Sequence, residues 1–189
     1  MDPLDKDRLA RYQAGDLTAL EELVEAYRRP LFAYILRMTE SRGGAEDIFQ
    51  DVWIRAIKHL PTFRERNLLG WLFRIAHNRI IDRARKQRPE QPYLEEIEYD
   101  TPSTRRAVHT LSPDEQAHEQ DLKRRIQQAV ATLPEEQRSV FLLRMDANLS
   151  FKEIARIQQI SINTALARMR YALEKMRLEL KKEYEPYRD

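Results

Sequence analysis

The sequence predicts an all-α protein built as two small helical domains joined by a flexible acidic linker. Of its 189 residues, 42% are apolar and 34% are charged, and only four are glycine. Leu, Ala, Glu, Arg and Lys dominate while β-branched runs are scarce, a composition typical of helical proteins. Apolar side chains recur at steps of three and four, the helical period, in residues 1–88 and again in residues 112–189. Residues 89–111 between them lack that period.

Charge is strongly segregated along the chain, although the net charge is only +2. Residues 64–88 have a net charge of +6 and residues 122–182 one of +7, whereas residues 89–121 have −7. Two basic blocks separated by an acidic one indicate candidate contacts with a polyanion such as nucleic acid.

Composition also excludes several classes of protein. The chain has no cysteine, so disulfides and thiolate metal sites are excluded. No apolar run approaches the roughly 20 residues that a membrane span requires. The start, MDPLDKDRLARYQ, is charged and lacks the apolar core of a signal peptide. We therefore expect a soluble, cytoplasmic protein with no membrane partner.

Two helices are predicted at the start of the chain. The first covers residues 4–14 and ends at Gly15, because glycine commonly terminates helices. Asp16 is placed to cap the second helix, in which Pro30 is a candidate kink. The apolar stripe of this second helix consists of Leu20, Leu23, Val24, Tyr27, Leu31, Tyr34, Ile35 and Met38.

A third helix is predicted from Glu46 to Leu60. Gly43 and Gly44 are expected to break the chain before it, and Pro61 is expected to end it. Its apolar residues are Ile48, Val52, Ile54, Ala56 and Ile57, and its polar side carries Asp47, Gln50, Asp51 and Arg55.

The fourth predicted helix, from Asn67 to Arg88, coincides with the first basic block. Its apolar stripe consists of Leu69, Leu72, Phe73, Ala76, Ile80 and Ala84. Its polar side carries a row of Arg74, Asn78, Asp82 and Arg85 beside a row of Arg79, Arg83 and Lys86. Such a face fits a nucleic-acid-binding helix, and it equally fits an ordinary arginine-rich surface helix.

The linker at residues 89–111 need not fold by itself, because it is rich in proline and acids. A fifth helix is then indicated by a capping Ser112, by Pro113 at the first helical position and by an acid at Glu115. It runs to about residue 132, and a sixth helix follows over residues 134–144.

The remaining chain has the form of a helix-turn-helix. Ser150 and Glu153 form a capping box that starts a short helix. After a turn over residues 158–161, a long helix runs from Ile162 to about residue 184. This helix is expected to bury Ile162, Ala165, Leu166, Met169, Ala172, Leu173, Met176 and Leu180. The opposite side is expected to carry Thr164, Arg168, Tyr171 and Lys175.

A basic second helix of this kind fits the major groove, where base edges present distinguishable donors and acceptors. The residues expected to reach bases or phosphates are Ser161, Asn163, Thr164 and Arg168. Those expected to contact mainly phosphates are Lys152, Arg156, Arg170 and Lys175. The alternative is a plain helical hairpin whose charges are solvated.

Four stretches of the chain carry a family pattern in a fixed order. They read AEDIFQDVWIRAIKHLPTF, WLFRIAHNRIIDRARKQR, LPEEQRSVFLLRM and LSFKEIARIQQISINTALARMRYALEKMR. Together they resemble the extracytoplasmic-function sigma factors of bacterial RNA polymerase. The resemblance implies that residues 1–88 bind the polymerase clamp and recognise and melt the −10 promoter element. It implies that residues 112–189 recognise the −35 element.

The resemblance further implies a −10 site on the loop at residues 62–67 and on the fourth helix. There the family captures an unstacked base of the non-template strand. The implied DNA contacts are Phe63, Asn67, Arg74, Asn78, Arg79, Asp82, Arg85 and Lys86. Phe63 and Trp71 are candidates to stack on bases, although for Trp71 we favour core packing.

The third helix matches the segment with which the family docks on the clamp coiled coil of core polymerase. The implied contacts are Glu46, Asp47, Gln50, Asp51, Trp53 and Arg55. Exposed acids suit a basic partner, and Trp53 either anchors the interface or packs in the core. The polymerase flap and an anti-sigma factor are further implied partners. The acidic linker is implied to thread the polymerase's active-site cleft and RNA exit path.

Residues 161–171 match the family's −35 reader. With Lys152 from the preceding helix, the expected −35 contacts are Lys152, Ser161, Asn163, Thr164, Arg168 and Arg170. The sequence departs from the family here. The family usually has a glycine and then basic or polar residues where this chain has Asn163, Leu166, Ala167 and Leu173, and the turn lacks glycine. Leu166 and Leu173 either weaken the −35 contact or face another protein.

We therefore expect a promoter-specificity subunit and no enzyme, with no catalytic residue, metal or cofactor. His59, His77, His109 and His118 lie in separate segments, and neither an HExxH spacing nor a glycine-rich phosphate loop occurs in the sequence. The alternative is a free-standing helix-turn-helix regulator. Such a regulator would not need the acid-and-tryptophan helix or the arginine helix of the first domain.

Overall fold

The computed structural model describes residues 2–39, 41–65, 67–87 and 113–182 of the chain. These residues form eight α-helices and one short 3-10 segment, Leu60–Thr62, with no strand among them, which confirms the all-α prediction. The helices are α1 (Pro3–Gln13), α2 (Leu17–Met38), α3 (Arg42–His59), α4 (Leu68–Gln87), α5 (Pro113–Ala131), α6 (Glu135–Met145), α7 (Phe151–Gln158) and α8 (Ile162–Lys182). The expected linker, the cap at Ser112 and the helix end near residue 184 lie outside the described residues.

The predicted helix starts at Asp16 and Ser150 are confirmed. Asp16 accepts a hydrogen bond from the backbone N–H of Thr18 (2.9 Å), which satisfies a donor that the first turn of α2 leaves open. At α7, Ser150 Oγ accepts from the N–H of Glu153 (3.3 Å), and the Glu153 carboxylate accepts from the N–H of Ser150 (2.8 Å). Pro30 lies inside α2 and does not end it.

The predicted chain break at Gly43 and Gly44 is wrong, because α3 begins at Arg42 and contains both glycines. Ser41 caps this helix, its Oγ accepting from the N–H of Gly44 (3.1 Å). A β-carbon on Gly44 would lie 2.9 Å from Ser41 Oγ and 3.2 Å from Nη2 of Arg83 on α4. Glycine therefore leaves room for the cap and for the guanidinium of Arg83, and the cap offsets its low helix propensity.

Helix α2 is central to the N-terminal half, where it packs against α1, α3 and α4. Helix α4 buries most of its predicted stripe: Leu72, Phe73, Ala76 and Ile80. Full burial of a large apolar side chain stabilises a fold by about 1.5–3 kcal/mol. This stripe therefore decides which side of α4 its polar row presents to solvent.

In the C-terminal half, α8 packs against α5, α6 and α7 and buries Ala165, Met169, Ala172 and Met176. The prediction that Ile162, Leu166 and Leu173 belong to the same buried stripe is wrong, because they are 45%, 45% and 49% exposed. The apolar band on α8 is wider than the surface that its neighbours cover, so one edge stays in solvent. On α3, the apolar residues Ile54 and Ile57 likewise stay exposed to solvent.

The two halves pack against each other, mainly through α4 with α7 and α2 with α6. At the centre of this contact, the Tyr34 hydroxyl lies 2.9 Å from Ser139 Oγ and 3.1 Å from His77 Nδ1. Near its edge, Arg37 and Asp146 form an ion pair of 2.5 Å. Buried apolar side chains from both halves belong to one continuous cluster. Polar surfaces of α4 and of the C-terminal half consequently face one another.

Candidate nucleic-acid interface

The exposed side of α4 is a polar strip made by Asn78, Asp82, Arg85 and Lys86. Their spacing of three and four residues places them on one side of the helix, away from the buried stripe. Arg85 and Lys86 form no ion pair with any described residue. Available cations beside a side-chain amide suit contact with a phosphate-bearing strand.

Two other arginines of α4 are bound to α3. Arg79 pairs with Asp51. Arg83 pairs with Asp47 at 3.2 Å and donates to the carbonyl of Gly44 at 3.4 Å. The sequence predicts that Arg79 contacts DNA and that Asp47 and Asp51 contact polymerase. In the structure, all three side chains form ion pairs across the α3–α4 contact.

A cleft of about 700 Å³ lies where the loop before α4 meets the helix. Phe63 and Trp71 contribute to its lining with ring centroids 4.9 Å apart, and Arg55, Asn78 and Asp82 line it as well. Phe63 is only 7% exposed and is a fixed part of the wall. Trp71 is half-buried and packs against the core, as favoured from the sequence, while base stacking by its cleft-lining side stays a prediction. Aromatic rings beside hydrogen-bonding and charged groups suit a single unstacked base.

Two further residues predicted to contact the −10 element have partners within the chain. Asn67 Oδ1 accepts from the N–H of Gly70 at 2.9 Å, which caps α4, and the Asn67 amide nitrogen donates to Glu153 of α7. Arg74 pairs with Glu65 at 2.6 Å. Either side chain would have to exchange these partners in order to bind DNA.

The exposed face of α3 combines polar and apolar side chains. Glu46, Gln50 and Arg55 are exposed, and Ile54 is 54% exposed beside them. Trp53 is only 6% exposed, so core packing is the correct alternative for this residue. Sequence periodicity missed Ile54 as a surface residue, because apolar residues around the whole helix gave no single buried face.

The predicted helix-turn-helix is formed by α7, a turn and α8. Gln159 ends α7 in the left-handed conformation, with φ = 55°. Ser161 Oγ accepts from the N–H of Thr164 at 3.0 Å, which caps the start of α8. Exposed polar residues then present hydrogen-bonding and basic groups on α7 and on the first turns of α8: Lys152, Asn163, Thr164 and Arg170.

The prediction that Arg168 and Lys175 point away from the core is wrong. Arg168 pairs with Glu136 at 2.9 Å and donates to Gln158 Oε1 at 2.8 Å. Lys175 donates to the carbonyl of Thr132 at 2.6 Å. Helical periodicity could not reveal these contacts, because α6, α7 and the turn after α5 supply acceptors on a side of α8 that the sequence leaves polar.

Arg168 lines a second cleft, of about 720 Å³, that lies between the two halves. Residues of α4 line the same cleft: His77, Asn78, Asp82 and Arg85. The structure thus brings parts of both predicted DNA-binding surfaces to one place. No sequence signal joins them, since they lie on α4 and α8.

His77 lies at the contact between the halves. Its burial, assisted by the nearby Arg168 charge, lowers the pKa of His77 to about 4. The imidazole is therefore neutral near pH 7, with Nδ1 close to the hydroxyls of Tyr34 and Ser139. This polar cluster is assembled from three helices and has no signature in the sequence.

Among the described ranges, no three His, Asp or Glu side chains are arranged to hold a metal ion. No described helix combines the length and apolar character needed to cross a membrane.

Comparison with known proteins gives matches over both halves of the chain. The family description Sigma-70 region 2 matches residues 23–90, and Sigma-70, region 4 matches residues 123–176. The chain is 30% identical over 185 residues to the ECF RNA polymerase sigma factor SigW of Bacillus subtilis, covering 96% of this chain and 99% of that relative.

Two solved structures have a similar fold. One is CnrH in complex with the cytosolic domain of CnrY, with a TM-score of 0.67, 21% identity, and coverage of 95% of this chain and 99% of that chain. The other is the sigma factor RpoE of Bartonella quintana in complex with the anti-sigma factor NepR. It has a TM-score of 0.65, 22% identity, and coverage of 86% of this chain and 96% of that chain.

Proposed function

This chain belongs to the extracytoplasmic-function sigma factors of bacterial RNA polymerase, and on that premise we propose which of its surfaces perform each step. It binds core RNA polymerase, recognises the −10 and −35 promoter elements and promotes DNA melting for transcription initiation. We assign clamp binding and −10 recognition to residues 1–88 and −35 recognition to residues 112–189. Residues 89–111 connect the two. The polymerase performs the chemistry, and this chain contributes recognition and strand opening in the cytoplasm.

The cleft beside Phe63 and Trp71 is assigned to one unstacked base of the non-template −10 strand. The observation that carries this assignment is the aromatic pair lining the same cleft as Asn78. An aromatic wall supplies stacking, and the amide supplies hydrogen bonds to the base edge. Arg85 and Lys86 then contact the adjoining phosphates. Extruding a base costs a few kcal/mol, which these contacts offset.

The −35 surface is assigned to the helix-turn-helix, with Ser161, Asn163 and Thr164 near base edges. Lys152 and Arg170 are exposed and suit phosphate contacts. Arg168 joins them only after it leaves Glu136, because its guanidinium is held in the cleft between the halves.

Polymerase docking is assigned to the exposed face of α3, where Glu46, Gln50 and Arg55 surround Ile54. Support comes from an apolar centre with a charged rim, the usual anatomy of a protein interface. Asp47 and Asp51 add negative charge at the edge of this face, where they form ion pairs with arginines of α4. The clamp coiled coil is the proposed partner of this face, and the polymerase flap is that of the C-terminal half.

An anti-sigma factor is a proposed regulatory partner. Support comes from the structural similarity to RpoE, which was solved with the anti-sigma factor NepR.

Reconstitution with core polymerase tests the −10 assignment. Asn78→Ala or Arg85→Ala is expected to reduce open-complex formation roughly tenfold, the loss that follows from removing one good base or phosphate contact of 1–3 kcal/mol. Melting is measured by fluorescence of 2-aminopurine placed in the −10 element, and polymerase binding by co-elution on a sizing column.

Arg28→Ala is the matched control, since Arg28 is an exposed arginine of α2 and should affect neither measurement. A parallel loss of melting and polymerase binding in Asn78→Ala would contradict the assignment. Failure of the wild-type chain to co-elute with core polymerase would favour a free-standing regulator.

A further inference from the structure

An apolar edge runs along the start of α8 in the helix-turn-helix. Ile162 and Leu166 lie one turn apart and are each 45% exposed. Leu166 is in the second turn of the helix, and the N-terminal turns of a recognition helix are the ones that contact base edges. The position thus carries a side chain that can neither donate nor accept a hydrogen bond at a place where such bonds are usual.

We propose that Leu166 recognises a thymine of the −35 element by packing against its 5-methyl group in the major groove. This inference rests on the proposed −35 role of α8 and specifies which base that surface selects.

The groups around Leu166 favour DNA as the partner of this edge. Asn163 and Arg170, at three residues before and four after, are its neighbours on the helix surface and are both exposed. An amide, an apolar group and a guanidinium thus lie side by side. An A·T pair in the major groove offers a matching set, namely the N7 acceptor and N6 donor of adenine and the methyl of thymine, with phosphates nearby.

Thymine is selected because its 5-methyl is the apolar group on the major-groove edge of the four bases. A polar base edge placed against Leu166 would lose its water without gaining a hydrogen bond, which disfavours guanine, adenine and cytosine. Arg170 also lies over the Tyr171 ring, 5.0 Å from its centroid, which restrains the cation beside the edge.

The experiment replaces the methyl group alone. Holoenzyme assembled from the full chain and core polymerase first selects its −35 sequence from a random duplex library. Each thymine in the selected −35 element is then changed singly to deoxyuridine, which lacks only the 5-methyl. Binding of each duplex is measured at fixed salt with wild-type, Leu166→Ala and Leu178→Ala holoenzymes. Leu178 is a matched control, because it is an exposed leucine of α8 three turns further along.

At one position, deoxyuridine is expected to weaken wild-type binding about fourfold, the factor that corresponds to burying one methyl group. Leu166→Ala should bind the thymine duplex correspondingly less well and should no longer distinguish thymine from deoxyuridine there. Leu178→Ala should retain the full wild-type difference in binding between the thymine and deoxyuridine duplexes.

Equal binding of thymine and deoxyuridine duplexes at every position by wild type would overturn the inference. So would a deoxyuridine loss that persists unchanged in Leu166→Ala. If Leu166→Ala lowers core-polymerase binding while deoxyuridine has no effect, the edge faces protein and the inference is wrong. A library without any enriched −35 sequence would instead remove the −35 role of α8 itself, and this inference with it.

Discussion

Gln159 occupies a backbone conformation that glycine usually takes at the end of a helix. Its φ of 55° is in the left-handed region, which costs a residue with a β-carbon about 1–2 kcal/mol. The conformation lets the N–H groups of Gln159 and Ile160 both donate to the carbonyl of Ala155. The buried Ile157 and the partly buried Ile160 hold the turn in place on either side. The turn is therefore formed despite the missing glycine, at a local cost.

Gln159→Gly is expected to stabilise the protein by about 0.5–1 kcal/mol, because the strain is removed while glycine loses some extra chain entropy on folding. The expected rise in Tm is about 2–3 °C for a chain of this size, measured by circular dichroism. Arg156→Gly, at an exposed position inside α7, should lower the stability by about 1 kcal/mol. A fall in Tm for Gln159→Gly would show that its side chain contributes more than the strain costs.

At the scale of elements, α3 and α4 form one unit. Two arginine–aspartate pairs join them, and Gly44 leaves room for the guanidinium of Arg83 beside α3. Under the proposed assignments, α3 carries the polymerase contact and α4 the −10 contact. Docking on polymerase would therefore also orient the base-binding cleft.

Adjacent glycines on α3 provide a matched test of the tight packing at Gly44. At Gly43, a β-carbon would meet nothing within 4 Å, so Gly43→Ala should stabilise by roughly 0.5 kcal/mol through lower chain entropy in the unfolded state. At Gly44, a β-carbon would displace the capping Ser41 Oγ, 2.9 Å away. Loss of that cap costs about 1 kcal/mol, so Gly44→Ala should destabilise in urea unfolding. Equal effects of both substitutions would mean that the side chains of Ser41 and Arg83 move aside without loss of stability.

At the scale of the whole molecule, the two surfaces that we propose to bind DNA meet at one cleft and are too close together to serve one promoter. Asn78 and Arg85 of α4 line the same cleft as Arg168 of α8. The −10 and −35 elements are named for positions 25 base pairs apart, which is about 85 Å along duplex DNA at 3.4 Å per base pair. Under the proposed assignments, the halves must therefore separate before both elements are bound.

Separation is measurable by fluorescence transfer between dyes on cysteines introduced at Arg28 and Leu178, both exposed. Labelling is specific because the chain has no cysteine of its own. Transfer efficiency should fall when polymerase and promoter DNA are added. A dye pair at Arg28 and Lys58, within the N-terminal half, should show no change. Unchanged transfer for the first pair would contradict opening.

The contact between the halves also makes stability depend on pH. The pKa of His77 is lowered to about 4 in the folded chain, against an ordinary value of 6.5, so the unfolded state binds the extra proton between these values. The stabilisation is complete above about pH 6.5 and is lost as the pH falls toward 4. Between pH 7 and 5 the loss should be about 2 kcal/mol.

His77→Gln removes this titrating group. The free energy of unfolding of the variant, measured in urea, should therefore fall by about 2 kcal/mol less than that of the wild type between pH 7 and 5. The pH-dependent contributions of titrating groups that both proteins share cancel in the comparison. A wild-type protein whose stability changes with pH in the same way as His77→Gln would show that His77 is not buried as a neutral imidazole.

The sequence by itself determined the helices and most of their ends, because capping side chains and apolar periods act over a few residues. Four stretches in a fixed order also carried the resemblance that identified the family. Asp16 and the Ser150–Glu153 box illustrate this. Only the tertiary structure decided which apolar residues stay exposed, as with Ile54 and Leu166, since that depends on how much of a helix its neighbours cover. It also decided that Arg168 binds Glu136 and that His77 meets Tyr34 and Ser139. These partners lie on different helices, and no local pattern records which distant side chains come together.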